Sequence, residues 1–279
     1  MTRHVVILLG VAALLGAGCA TQPEGPADFP MVDYHVHLKG GLTLEQAKAW
    51  AETRGMKYGI AQNCGLNFPV TDDEGLRAYV AGMRGKGVYV AMQAEGREWV
   101  DLFSSEAIAE FDYVFSDSMT WRDGQGRRMR LWMPDEVFMD DVESFMDTLV
   151  QRTVWILENE PIDIYVNPTF LPAVIAEDYD TLWTPGRMDQ VIAAAVANDV
   201  AIEINARYEI PSPAFLKRAK AAGATFSFGT NNRGADDLGN LEYCRRMIVE
   251  LGLTPDDMFV PKPDGQKAAQ RKPLPKRIY

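Results

Sequence analysis

Short apolar runs alternate along the chain with longer amphipathic stretches, and most of the apolar runs end in polar residues. Seven runs have the length of a buried strand; they are 32–37, 58–61, 88–93, 113–116, 162–166, 200–204 and 224–228. A stretch with helical periodicity follows each run, and the first one predicts an N-cap at Thr43 with Gln46 as its third residue. Strands that alternate with helices form a parallel sheet wrapped by helices. Seven such units predict an α/β fold, a closed or nearly closed (β/α)7 TIM-like barrel.

A polar segment interrupts this alternation after the fourth strand. Residues Arg122–Arg128 contain two glycines and three arginines, which predicts a hairpin or flap, and a long helix is expected over 134–157. Trp121 and Trp132 flank the segment. Packing at the edge of the flap is the favoured role of these two rings, and stacking on a sugar or a base is the alternative.

The N-terminus predicts export. A basic start, an eleven-residue apolar run and small residues precede Cys19, as in bacterial lipoprotein signals, and plain secretion is the alternative. The predicted divisions are a signal segment, a tether, one barrel domain and a basic, proline-rich tail; they span 1–19, 20–30, 31–260 and 261–279. We therefore expect a cell-envelope protein, lipidated at Cys19, that contacts the membrane only through this lipid anchor. The tail is expected to be extended and loosely bound.

Composition restricts the partners. The net charge of −11 argues against nucleic acid, although a small anionic substrate remains compatible with it. Besides Cys19 the chain has only Cys64 and Cys244, too few for a disulfide framework. Nothing in the pattern indicates an oligomeric state.

Chemistry-bearing residues stand where the strands end. In an extended strand alternate side chains share a face, which places Asp33, His35 and His37 together. The same alternation places Glu95 on the inner face of the third strand. Ligands of barrels bind at the C-terminal ends of the strands, so we expect these side chains to meet in one pocket.

The first of these segments resembles a known motif. Asp33-x-His35-x-His37 is similar to the D-x-H-x-H motif of the PHP (polymerase and histidinol phosphatase) superfamily, and Glu95 falls on that family's metal-bridging glutamate. The resemblance runs from Asp33 to about Leu251. It implies a distorted barrel of seven strand–helix units that holds up to three metal ions and hydrolyses phosphate esters.

Several positions depart from the family pattern. Asn63-Cys64 stands where the family has Asp-His, Asn167 replaces a histidine, and Asn231 and Arg233 replace the closing Asp and His. These replacements limit the expected site to one or two divalent ions, zinc or manganese. The expected metal ligands are His35, His37, Glu95 and Cys64.

The resemblance leaves two functions open. The first is a metal-dependent hydrolase of phosphoesterase type, in which Asp117 is the base and Arg233, with Lys39, binds the substrate anion. The second is a catalytically degenerate ligand-binding member, because amides bind polar groups well and activate water poorly. In either case the expected substrate-binding residues are Asn63, Asn167, Asn205, Asn231 and Arg233.

Overall fold

The strands form a closed parallel barrel. The computed structural model describes residues 29–276, and seven strands follow one another around the barrel in chain order. They are β1 (Val32–Val36), β2 (Lys57–Cys64), β3 (Tyr89–Ala94), β4 (Tyr113–Ser116), β7 (Ile164–Tyr165), β8 (Ala201–Asn205) and β9 (Phe226–Gly229). Pairing of β1 with β9 closes the ring at Asp33 and Phe228. The predicted α/β barrel of seven strands is confirmed.

Helices surround this barrel. The α-helices are α1 (Leu44–Thr53), α2 (Asp73–Met83), α3 (Trp99–Leu102), α4 (Ser105–Ile108), α5 (Val142–Asn159), α6 (Tyr179–Leu182), α7 (Pro185–Ala197), α8 (Pro213–Ala221), α9 (Glu242–Leu251) and α10 (Ala268–Arg271). Thr43 caps α1 and forms the predicted capping box with Gln46. The long helix expected over 134–157 is divided, because Asp141 caps a new helix start and a 3₁₀ turn precedes it at Pro134–Glu136.

The polar segment after β4 forms the predicted hairpin. Its strands, β5 (Thr120–Arg122) and β6 (Arg128–Arg130), pair antiparallel as a separate two-stranded sheet. Trp121 of β5 is buried, and the centroid of its ring lies 6.0 Å from the ring centroid of Phe145 on α5. Packing therefore explains Trp121, as favoured from the sequence.

Apolar side chains divide into two layers. The larger cluster lies between the barrel and the helices and includes Val36, Ile60 and Cys64. The smaller cluster fills the barrel and includes Tyr34, Ala91 and aromatic residues of β4. Residues of one strand alternate between the two clusters, as the pleat requires.

An irregularity in β1 changes the predicted direction of Asp33. The pairing with β2 shifts between Asp33 and Val36, so consecutive residues Tyr34 and His35 both contact the inner cluster. Asp33 therefore lies on the opposite face, where Thr230 donates two hydrogen bonds to it, at 3.0 Å from its N–H and 2.5 Å from its hydroxyl. The expectation that Asp33 shares a face with both histidines is wrong, because a β-bulge breaks strict alternation.

The basic C-terminal segment packs against the barrel. Ala268 and Ala269 of α10 are buried, and the Ala268 N–H donates to Asp163 Oδ1 at 3.1 Å. Lys267 donates to the Ala109 carbonyl at 2.9 Å. The expected loose tail is wrong for this part, because its apolar and polar groups find partners at the N-terminal end of the barrel.

The predicted signal segment, Cys19 and most of the tether fall before residue 29 and lie outside the described residues. Within residues 29–276, no helix combines the length and the apolar character needed to cross a membrane.

Candidate functional site

A cavity of about 410 Å³ opens at the C-terminal end of the barrel. Its walls come from the residues that end or follow β1, β2, β3, β4, β7, β8 and β9. They are Lys39, Asn63, Phe68, Pro69, Gln93, Glu95, Asp117, Met119, Trp132, Asn167, Arg207, Tyr208 and Asn231. Parallel strands bring their carboxyl ends to one edge, which is why residues distant in sequence meet here. We call this the mouth cavity.

Two carboxyl groups from adjacent strands line the mouth cavity. Glu95 follows β3 and Asp117 follows β4, and each is only 6% exposed. Burial raises the pKa of Glu95 to about 8, and the neighbouring charge of Asp117 contributes to this rise. Burial also raises the pKa of Asp117. Glu95 therefore retains a proton at neutral pH, as a general acid requires.

Hydrogen bonds position both carboxyls. Asn63 Nδ2 donates to Glu95 Oε1 at 2.6 Å, and Asn167 Nδ2 donates to Asp117 Oδ2 at 3.1 Å. The Met119 N–H donates to Asp117 Oδ1 at 2.9 Å. No lysine, arginine or histidine of residues 29–276 forms a salt bridge with Glu95 or Asp117.

An amide network supports this pair from below. Asn205 and Asn231 both donate to Asn167 Oδ1, at 3.1 and 3.0 Å, and Asn205 also donates to Glu203 Oε2 at 2.9 Å. Asn167 and Asn231 have φ angles of 47° and 44°. Asparagine adopts this left-handed conformation more readily than most side chains. These two asparagines therefore take part in the hydrogen-bond network through their side chains and form turns through their backbone.

The expected substrate contacts are only partly present. Asn63, Asn167 and Asn231 line the mouth cavity, whereas Asn205 is completely buried beneath it. Asn205 is therefore a positioning residue, not a surface for substrate.

Arg233 lies away from the mouth cavity. Its side chain is 73% exposed and its Nε lies 3.4 Å from Asp237 Oδ2. The cations that line the cavity are Lys39 and Arg207. The expected role of Arg233 is corrected because the loop after β9 turns outward at this residue, where Asp237 binds its N–H. Sequence reasoning missed Arg207, although its spacing of two from Asn205 was a usable signal.

The two histidines lie inside the barrel. His35 Nδ1 lies 2.6 Å from Glu203 Oε1, and His37 Nδ1 lies 3.2 Å from the Ala61 carbonyl oxygen. Burial holds the pKa of His37 well below its usual range, so His37 is neutral. In both histidines a contact at Nδ1 fixes the orientation of the ring, an arrangement that is common for metal-binding histidines in other proteins.

The predicted ligand set His35, His37, Glu95 and Cys64 does not assemble. Cys64 belongs to the outer cluster, and its thiol approaches the Gln62 carbonyl oxygen at 3.3 Å. Strand alternation places Asn63 inward and Cys64 outward, which is the reason for this correction. Nowhere in residues 29–276 do three His, Cys, Asp or Glu side chains form a group that could hold a metal ion.

Comparison with known proteins gives structural similarity only. No protein-family model matches the chain, and no curated protein matches it. A citrate lyase from Burkholderia xenovorans has 13% identity and a TM-score of 0.38, covering 76% of this chain and 76% of that chain. An HpcH/HpaI aldolase from Desulfitobacterium hafniense has 12% identity and a TM-score of 0.37, covering 81% of this chain and 94% of that chain. At these TM-scores neither similarity assigns an activity.

The assignment to the PHP superfamily is wrong. No family model matches the chain, and within residues 29–276 the metal-ligand set that the resemblance implies does not assemble. The motif that suggested it also has other roles here: Asp33 binds Thr230 on the outer face, and His35 binds Glu203. The two functions expected from that assignment, a phosphoesterase-type hydrolase and a ligand-binding PHP relative, are therefore wrong as well.

Proposed function

We propose that this chain is an acid–base enzyme that cleaves a carbon–carbon bond in a small, anionic hydroxy acid, as a lyase of retro-aldol type does. The observation that supports the proposal is the buried pair Glu95 and Asp117, which lies in an open cavity and forms no salt bridge within residues 29–276. Where the surroundings of two neighbouring titratable groups give them different pKa values, the protonated group is the candidate acid and the ionised group is the candidate base.

The cleavage uses the two carboxyls in turn. Asp117, as the carboxylate, takes the proton of a substrate hydroxyl, and the O–H electron pair becomes the new carbonyl bond. The neighbouring C–C bond breaks, and its electron pair remains on the departing carbon. That carbon takes the proton from Glu95. Proton transfer from Asp117 to Glu95 then restores the starting state.

Cations at the rim favour an anionic substrate. Lys39 and Arg207 line the same cavity as the carboxyl pair, and the charge of Lys39 lowers the pKa of Glu95. Arg207 lies 4.9 Å from the ring centroid of Tyr208 and donates to the Asn231 carbonyl oxygen at 3.3 Å. A substrate carboxylate between these cations would place its hydroxyl near the carboxyl pair.

A divalent ion is the cofactor proposed for the same pair. Glu95 and Asp117 are buried carboxyl groups that accept hydrogen bonds from amide nitrogens, and carboxylate oxygens suit manganese better than zinc. When bound, the ion would polarise a carbonyl oxygen of the substrate. The ion and the proton of Glu95 neutralise the same charge, so Mn²⁺ should bind more tightly as pH rises, and Glu95 acts as the acid only while the ion is absent.

The test is product formation from a panel of 3-hydroxy acids and 4-hydroxy-2-oxo acids, with and without Mn²⁺, followed by proton NMR in D₂O. Deuterium should enter the departing carbon. Glu95→Gln and Asp117→Asn should each lower turnover by about 10²-fold or more. Glu250→Gln, at an exposed ion pair with Lys217, is the matched control and should retain full turnover.

Equal product formation in all four proteins would rule out the assigned roles. A substrate panel member that raises the melting temperature without turnover would instead identify a binding protein. Calorimetric titration with Mn²⁺ tests the ion separately, since its failure leaves the acid–base step intact.

A further inference from the structure

We propose a second binding site, for a tetrahedral oxyanion of the phosphoryl class, between the β5–β6 hairpin and α5. A cavity of about 300 Å³ lies there, lined by Arg97, Thr120, Trp121, Arg152 and Trp155 among others. A smaller cavity shares the first four of these residues and adds Arg122 and Arg128. None of these residues lines the mouth cavity, and the proposal does not rest on the function proposed above, although the charge of Arg97 also acts on Glu95 and Asp117.

Buried side-chain atoms without hydrogen-bond partners are concentrated in the residues that line these two cavities. Within residues 29–276, six buried side-chain atoms have no hydrogen-bond partner, and three of them are Arg97 Nε, Thr120 Oγ1 and Arg152 Nε. All three residues line both cavities. Guanidinium N–H groups only donate, so two of the three atoms require an acceptor. A buried donor without an acceptor is destabilising, which indicates that an acceptor belongs here.

The remaining contacts of the two arginines fix their positions. Arg97 Nη1 donates to Glu160 Oε1 at 2.7 Å, and Nη2 donates to Ser116 Oγ at 2.7 Å. Arg152 Nη2 donates to the Arg122 carbonyl oxygen at 3.0 Å. Contacts with the protein therefore hold both guanidinium groups in place, which lowers the entropic cost of binding an anion.

The local charge also favours an anion. Four arginines and one acid, Glu98, line the smaller cavity, and Glu98 lies 3.4 Å from Arg122. Burial lowers the pKa of Arg152, and the positive charge of Arg97 lowers it further, as expected for two like charges close together. An anion between them would relieve this repulsion although the whole chain is acidic.

The geometry favours a phosphoryl group over a carboxylate. Its oxygens point in several directions and can accept from two guanidinium groups and a hydroxyl at once, whereas a carboxylate has two oxygens in one plane. Arg152 lies 5.4 Å from the ring centroid of Trp121, and Trp155 lines the larger cavity. An aryl phosphate would therefore gain contact with an indole ring that inorganic phosphate lacks.

Calorimetric titration with inorganic phosphate tests the proposal, with acetate at equal ionic strength as the comparison. Wild-type protein should bind phosphate more tightly than acetate. Arg152→Gln and Thr120→Val should each weaken phosphate binding, Arg152→Gln by about tenfold or more, because a charge-assisted hydrogen bond is lost. Thr120→Val keeps the side-chain shape and removes only the hydroxyl, so it reports on the site even where Arg152→Gln unfolds.

Two controls separate this site from the surface and from the mouth cavity. Arg218→Gln removes the same charge from an exposed pair with Asp189 and should bind phosphate as wild type does. Glu95→Gln should also bind phosphate as wild type does. Absence of binding to wild type, or equal binding by Arg152→Gln, Thr120→Val and wild type, would overturn the proposal. Phenyl phosphate distinguishes two kinds of ligand, free phosphate and a phosphorylated aromatic compound. Tighter binding of phenyl phosphate than of inorganic phosphate indicates the aromatic compound.

Discussion

His35 Nδ1 lies 2.6 Å from Glu203 Oε1 across the interior of the barrel, joining β1 to β8. Glu203 also accepts from the Asn167 N–H at 2.7 Å and from Asn205 Nδ2 at 2.9 Å. One buried carboxylate thus organises three strand ends beneath the mouth cavity.

Glu203→Ala should therefore be among the most destabilising single changes. It removes the acceptor of three buried hydrogen bonds, and each buried N–H group left unsatisfied costs about 1–3 kcal/mol. Urea unfolding measures this loss directly. Glu209→Ala, at an exposed pair with Arg246, should change stability by about 1 kcal/mol or less. Equal losses for both variants would contradict the role given to Glu203.

Gly229 at the end of β9 should tolerate no side chain. A Cβ there would overlap Glu203 Oε1 and lie 2.8 Å from Cβ of His35. Gly229→Ala should lower the melting temperature and weaken binding in the mouth cavity. In contrast, Gly82→Ala adds a methyl group to α2 with nothing within 4 Å and should raise stability by about 0.5–1 kcal/mol. Thermal unfolding of both variants measures the two changes in melting temperature, which should have opposite signs.

Glu95 should make the protein less stable as pH rises. Its pKa is 4.5 when solvated and about 8 in the folded chain, so the folded form prefers the protonated carboxyl. Its contribution to stability is complete below pH 4.5 and is lost as pH approaches about 8. Melting temperatures of wild type and Glu95→Gln across this range should therefore diverge, with the variant more stable at the alkaline end. Parallel curves would show that Glu95 is solvated in the folded protein.

The packed C-terminal segment should contribute to folding. Asp163 accepts from the Val114 N–H at 2.9 Å and from the Ala268 N–H at 3.1 Å, and α10 covers the barrel there. A chain that ends after Lys262 loses the second of these bonds and should be less stable by about 1–3 kcal/mol. A chain that ends after Leu274 retains α10 and should unfold as the full chain does. Guanidinium chloride unfolding of the three chains provides the comparison, and identical midpoints would mean that the segment adds nothing.

Local pattern was sufficient for the barrel and for part of the site. Strand-length apolar runs followed by helical periodicity predicted the seven units, because each strand must bury both faces and each helix only one. Alternation placed Glu95 on the inner face of the third strand, and Glu95 lines the mouth cavity. The capping box of Thr43 and Gln46 was also correct, since it depends on four adjacent residues only.

Contacts between distant segments decided the rest. The bulge in β1 reversed Asp33, and the loop after β9 directed Arg233 outward while Arg207 entered the mouth cavity. The family resemblance was wrong because two histidines and an acid at matching spacing do not define what they contact in space. Side-chain direction along a regular strand is a local property, which the sequence by itself determined. Register, loop path and the surroundings of a buried charge depend on packing between segments far apart in the chain, so only the tertiary structure decided them.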